Sequence, residues 1–191
     1  MSSLNSWFEK GMTKEEYLDS MKVHKENLKS VQENFQLDID DEARLAPLKE
    51  NQLRAIVLTA DWCGDAMVNI PILLNIASSA GIDIRFLIRD ENLELMDQYL
   101  TNGTARSIPI FIFIDSNGDE VARWGPRAPE VQAFVDDLKE NTMPAKEDPA
   151  YNSAFKLFIE TVTNRFITDQ ELWTSIKSDI LKTLENSILK K

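Results

Sequence analysis

The chain has 191 residues, 43% of them hydrophobic and 28% charged, and a formal net charge of -11 at pH 7. That length holds one ordinary domain with an attachment, or two small ones. The acidity weighs against nucleic-acid binding, which needs basic surface to replace phosphate counterions, and against adsorption to anionic membranes.

The N-terminal stretch reads as helix. From Thr13, apolar positions recur at Tyr17, Met21, His24, Leu28, Val31 and Phe35, in steps of four and three, which is one stripe on one helix. Thr13 followed by Glu16 forms a capping box. His24, the only histidine, falls on this stripe and reads as a hydrogen-bonded core residue rather than a catalytic one. The acidic run LDIDDEARLAPL then leads out through Pro47 as a linker.

The middle of the chain alternates. Ala55 to Ala60 is a short β-rich apolar run, read as a buried strand. A helix is expected from about Cys63 to Ala80, closed by Gly81 and kinked at Pro71. Ile82 to Ile88 is a second strand, and ENLELMDQYL a short helix ending near Gly103. IPIFIFID and EVARW are strands joined by SNGD, an Asn-Gly hairpin signal. PEVQAFVDDLKE places Val131, Phe134, Val135 and Leu138 on one helical face. The order is β-α-β-α-β-β-α.

After the loop NTMPAKEDP come two more helices. The first carries Tyr151, Phe155, Phe158, Ile159 and Val162; the second carries Leu172, Trp173, Ile176, Ile180, Leu184 and Ile188. Thr168 with Glu171 reads as a second capping box. Both stripes need burial. Packing within the chain, and hence a monomer, is expected over a dimer formed through these helices.

The chemistry concentrates in the stretch TADWCGDAMVNIP. Cys63 is the only cysteine, so neither an internal disulfide nor a multi-thiolate zinc site is open to this chain. It follows a predicted strand and opens a predicted helix, where free backbone N–H groups favour the thiolate. The expectation is therefore a thiol pKa below the ordinary value of about 8.5. Gly64 lets a partner's backbone come close. Asp65 suits the first helical turn, although its charge opposes thiolate formation.

Trp62-Cys63-Gly64-Asp65-Ala66 resembles the thioredoxin-family active site, a tryptophan followed by Cys-x-x-Cys, with Ala66 in place of the second cysteine. Pro71, eight residues after Cys63, and Ile108-Pro109, just before the third core strand, match that family too, as does the element order over roughly residues 50 to 142. The resemblance implies a cis Pro109 lying against the cysteine, Ile108 offering its backbone to a bound substrate, and Trp62 as a surface platform. Arg106, in the loop before Ile108, is placed to stabilise the thiolate or an acidic partner; Arg127 is a second candidate for the same task. Two departures matter. Ala66 removes the thiol that would release a mixed disulfide, which then waits for an external thiol. Val57 stands where typical members carry a buried aspartate.

The expected fold class is α/β: a thioredoxin-like fold with a four-stranded mixed sheet and flanking helices, plus an N-terminal helix and two C-terminal helices. The expected division is a helical extension over 1–48, the thioredoxin-like core over 49–142, and a helical extension packed on the core over 143–191. The expected function is thiol-disulfide exchange through Cys63 alone, with Trp62, Gly64, Asp65, Arg106, Ile108 and Pro109 binding the substrate. That substrate is a disulfide-containing protein or a small thiol. The rival is a redox-silent module that presents the Trp62 and Pro109 surface to a partner. No metal, nucleotide or flavin cofactor is expected: GxGxxG and P-loop motifs are absent, and Asp38 to Glu42 and DSNGDE lack EF-hand spacing. No signal peptide is read in MSSLNSWFEK, and no apolar run approaches the roughly 20 residues of a spanning helix. Partner nucleic acid and membrane are not expected, and the expected location is the reducing cytoplasm.

Overall fold

Four strands form one mixed sheet: β1 (Arg54–Thr59), β2 (Asp83–Ile88), β3 (Ile110–Ile114) and β4 (Glu120–Trp124), in the order β2-β1-β3-β4. The computed structural model describes residues 3–188. β1 pairs parallel with β2 and antiparallel with β3, and β3 pairs antiparallel with β4. Every residue of β3 is buried, as its unbroken run Ile-Phe-Ile-Phe-Ile requires. Around the sheet lie α1 (Leu4–Lys10), α2 (Lys14–Ser20), α3 (Lys25–Asn34), α4 (Ile39–Leu45), α5 (Gly64–Ala80), α6 (Leu93–Met96), α7 (Pro129–Thr142), α8 (Tyr151–Thr168) and α9 (Gln170–Ile188).

The register stacks a row of large side chains across one face. Phe86 pairs with Val57, Val57 with Phe111, and Phe111 with Trp124. Tyr17 stacks on Phe86 with ring centroids 4.5 Å apart, and Phe111 on Trp124 at 5.0 Å. Val57, in place of a carboxylate, is thus part of a continuous apolar layer. Two residues further along β1, Thr59 is fully buried and shares a 3.2 Å hydrogen bond with the Tyr17 hydroxyl.

The single helix expected from Thr13 is divided in two. Its capping box is present, with Glu16 N–H on Thr13 Oγ1 and Thr13 N–H on Glu16 Oε2. The helix nevertheless stops at Ser20, and His24 adopts a left-handed conformation with φ 60°. The break is held by a distant residue: Asp61 Oδ2 accepts from the Lys22 and Val23 backbone N–H groups at 2.8 and 3.2 Å. Tyr17, Met21, Leu28, Val31 and Phe35 are still buried, and His24 is half-buried. The stripe recorded which residues face inward, and the chain keeps them inward across a turn.

The acidic run expected to be a linker forms α4 instead. Asp38 and Asp41 cap it reciprocally. Asp41 also receives Lys177 Nζ of α9 at 2.6 Å, with both side chains buried. Arg44 makes a two-pronged contact with Glu185 at 2.6 and 2.9 Å. These charges tie the two ends of the chain together.

Of the two C-terminal helices, α9 is the better buried. Leu172, Trp173, Ile176, Ile180, Leu181 and Leu184 are within the core; the Ile188 side chain lies outside what the structure describes. α9 packs against α4, α5, α7 and β4. Its cap is Asp169, whose Oδ1 accepts from Glu171 and Leu172 N–H, rather than Thr168, which completes α8. α8 is less completely buried: Phe166 is buried and Phe158 and Val162 are half-buried against the core, while Phe155 and Ile159 are each 45% exposed. Among the described residues no helix is long and apolar enough to cross a membrane.

Candidate active site

β1 ends at Thr59, and a tight turn, closed by Cys63 N–H on the Ala60 carbonyl at 3.2 Å, delivers the chain to the start of α5. Asp61 braces this turn against the break between α2 and α3, a role the sequence gives no local sign of. Cys63 is the N-cap of α5 in extended conformation, and its Sγ accepts the Ala66 N–H at 3.4 Å. That is the helix-terminal placement its position in the sequence implies.

The thiol also donates to the Ile108 carbonyl oxygen at 3.3 Å. The Ile108–Pro109 peptide is cis, and this hydrogen bond holds the segment entering β3 against the cysteine. Ile108 therefore already uses its carbonyl on the thiol. Ala66, at 2% exposure, occupies the interior position a second thiol would take.

The expected low thiol pKa is overturned. Cys63 is only 8% exposed, and burial, followed by the Asp65 charge, pushes its pKa up to about 11. The Ala66 and Asp65 N–H groups and the Arg127 guanidinium pull the other way and lose. A helix terminus favours a thiolate only where water or a cation replaces the lost hydration. Here the nearest full charge on the first turn is negative.

Asp65 itself is held by Arg127, whose Nε and Nη2 donate to its two oxygens at 2.6 and 2.8 Å, while Nη1 donates to Gln132 Oε1 at 3.2 Å. Burial pushes the Asp65 carboxyl up, and Arg127 opposes that. Of the two candidate arginines, the structure brings Arg127 to the motif. Arg106 is instead gripped by Asp97, at 2.7 and 2.9 Å, in an exposed pair. Its contribution is a backbone carbonyl that receives Arg89 Nη1 at 3.2 Å. Arg89 was not singled out by sequence, yet its guanidinium lies 4.9 Å from the centre of the Trp62 ring. Trp62 is 51% exposed and forms an open platform. Beside Gly64 there is open space.

A second loop closes the site. Gly125 has φ +122°, and a Cβ there would stand 2.2 Å from the Pro109 carbonyl oxygen. The Gly125–Pro126 peptide is also cis, and Asn69 of α5 donates to the Pro126 carbonyl at 3.0 Å. Gly125→Ala is expected to displace the Pro109 loop and to lower stability by about 1–3 kcal/mol. Urea denaturation checks this; an unchanged midpoint would show that the two loops can separate freely. Among the described residues no group of three His, Cys, Asp or Glu is placed to hold a metal ion.

Residues 11–139 match the family model described as Thioredoxin. A crystal structure of a protein of unknown function from Pseudomonas aeruginosa is similar over 98% of this chain and 99% of its own, with TM-score 0.68 and 16% identity. An HIV epitope-scaffold is similar over 97% and 99%, with TM-score 0.68 and 15% identity. At these identities the two structures speak for the fold alone. No curated protein matches the sequence.

Proposed function

The chain belongs to the thioredoxin family, and from that premise we propose that it takes part in thiol-disulfide exchange through Cys63 alone. The observation that carries the reading is the seat of the sulfur: Cys63 Sγ caps α5 and rests against the segment leading into cis-Pro109, beside an exposed Trp62. In the reaction the Cys63 thiolate attacks one sulfur of a disulfide. A mixed disulfide forms, the other sulfur leaves as thiolate, and the Cys63 proton passes to solvent. With Ala66 at the third position after Cys63, no internal thiol resolves the product, and an external thiol must. The partners are a disulfide-containing protein or a small thiol, in a reducing compartment such as the cytoplasm.

The resting group is a protonated thiol, and with a pKa of about 11 roughly one chain in ten thousand is ionised at pH 7. This favours slow exchange over indiscriminate oxidation. The same burial supports the second reading, a redox-silent module that uses the Trp62 and Pro109 surface.

Ala66→Cys separates the two. Its side chain enters the position beside Sγ, so oxidation should close an internal disulfide and turnover with insulin should rise at least about tenfold over the unmodified chain. The unmodified chain should stop at a stable mixed disulfide. Rapid multiple turnover by the unmodified chain without added thiol would overturn the single-cysteine mechanism. Failure of Cys63 to form a mixed disulfide with any disulfide would leave the silent module.

A further inference from the structure

β1 and β2 run parallel, with Thr59 opposite Ile88, so the chain leaves both strands at the same edge of the sheet. One strand opens into the turn that carries Trp62 and Cys63, the other into Arg89. That shared edge sets the Arg89 guanidinium 4.9 Å from the centre of the Trp62 ring, although the two residues lie far apart in the chain.

Arg89 is held firmly. Its Nε and Nη2 donate to the two Asp90 oxygens at 2.9 and 3.2 Å, and its Nη1 donates to the Arg106 carbonyl at 3.2 Å. That carbonyl is itself fixed, because Asp97 grips the Arg106 side chain. Two residues on, the Ile108 carbonyl receives the Cys63 thiol at 3.3 Å. Arg89 thus joins two segments that meet at the sulfur: the turn before it, through Trp62, and the approach to β3, through Arg106.

Trp62 needs such a partner. A half-exposed indole with nothing against it turns among several staggered rotamers. Trp62 adjoins Cys63 in the chain, so each rotamer changes what a large partner meets beside the sulfur. A guanidinium against the ring selects among them, and Asp90 already balances its charge. The contact leaves the ionisation of the thiol alone, since the side-chain charges that bear on Cys63 are those of Asp65 and Arg127.

We infer that Arg89 is a positioning residue for exchange: lodged between Trp62 and the Arg106 carbonyl, it fixes the Trp62 ring as one wall of the approach of a protein disulfide to Cys63. The inference rests on the exchange reaction proposed above.

The test uses the full chain. Trp7, Trp124 and Trp173 are buried, so acrylamide quenching of tryptophan fluorescence reads Trp62. Arg89→Ala should raise that quenching. It should slow mixed-disulfide formation with insulin, followed by intact mass, about fivefold, the size of one such stacked contact. The pH profile of iodoacetamide alkylation should stay where it is. Arg89→Lys should restore part of the rate, because an ammonium still lies over the ring but lacks the fork that reaches Asp90 and Arg106 together. In a Trp62→Ala chain, Arg89→Ala should cost nothing further. Unchanged quenching overturns the inference. So does an equal slowing by Arg89→Ala in the Trp62→Ala chain, or an alkylation profile that moves with the insulin rate. Raised quenching in a chain that forms no mixed disulfide with insulin would uphold the contact, and would sink the exchange reaction and the positioning role with it.

Discussion

Alkylation of Cys63 by iodoacetamide will accelerate about tenfold per pH unit from pH 7 to 10 and level off only near pH 11. The thiolate alone reacts, and burial holds the proton on Cys63 far above the ordinary thiol value. An unperturbed thiol with a pKa of about 8.5 is about 3% ionised at pH 7, so the folded chain should react a few hundredfold more slowly than the same chain unfolded in guanidinium. The comparison needs no reference protein, because the unfolded chain carries the same lone thiol. A plateau at or below pH 8.5 in the folded chain would show that the helix terminus outweighs burial. The linkage has a definite sign. The folded pKa lies above the unfolded one, so the thiol's contribution to stability is fully present below about pH 8.5 and is lost as pH rises toward 11. A Cys63→Ala variant should lack that part of the alkaline loss.

This outcome reverses what the motif implies, and the reason shows where sequence reading ends. The order of strands and helices was legible because it depends on local signals: apolar runs for β1 and β3 and Gly81 closing α5; Pro71 and Pro109 entered through the family resemblance. The seat of the thiol was legible for the same reason, since a strand followed at once by a helix forces the residue between them to cap it. Its pKa was not. The opposing Asp65 charge was visible two residues away, but the larger cause, burial, depends on how completely the Pro109 loop covers the sulfur, and that contact joins residues far apart in the chain.

The two arginines show the same limit. Arg106 precedes Ile108-Pro109 and Arg127 follows β4, and nothing local says that Asp97 holds one and Asp65 the other. Nor does anything near Lys22 announce that Asp61 will take its backbone N–H and end a helix whose apolar stripe runs on to Phe35. On α8 the periodicity overstated burial. Its Phe155 and Ile159 belong to the predicted stripe, yet both are 45% exposed, and full burial is reached only at Phe166, whose carbonyl receives Trp173 Nε1 at 2.7 Å.

Asp65→Ala should combine a large loss of stability with a more reactive thiol. The Asp65 and Arg127 side chains are 15% and 24% exposed, so each stands mostly out of water. Removing the carboxylate leaves a guanidinium with Gln132 as its remaining partner, and breaking a pair of this kind costs about 3–5 kcal/mol. The Asp65 charge is second only to burial in raising the Cys63 pKa, and Arg127 acts to lower it. Taking away Asp65 and keeping Arg127 therefore moves the alkylation profile to lower pH. Arg127→Met serves as the counterpart. It also breaks the pair and should also destabilise the chain, but it leaves the negative charge beside the sulfur and moves the profile to higher pH. Urea denaturation and the pH dependence of alkylation on the two variants measure both quantities. If the profiles shift in the same direction, both substitutions are merely loosening the site and admitting water. Opposite shifts with parallel losses of stability would establish that the charges on either side of Cys63 set its ionisation directly.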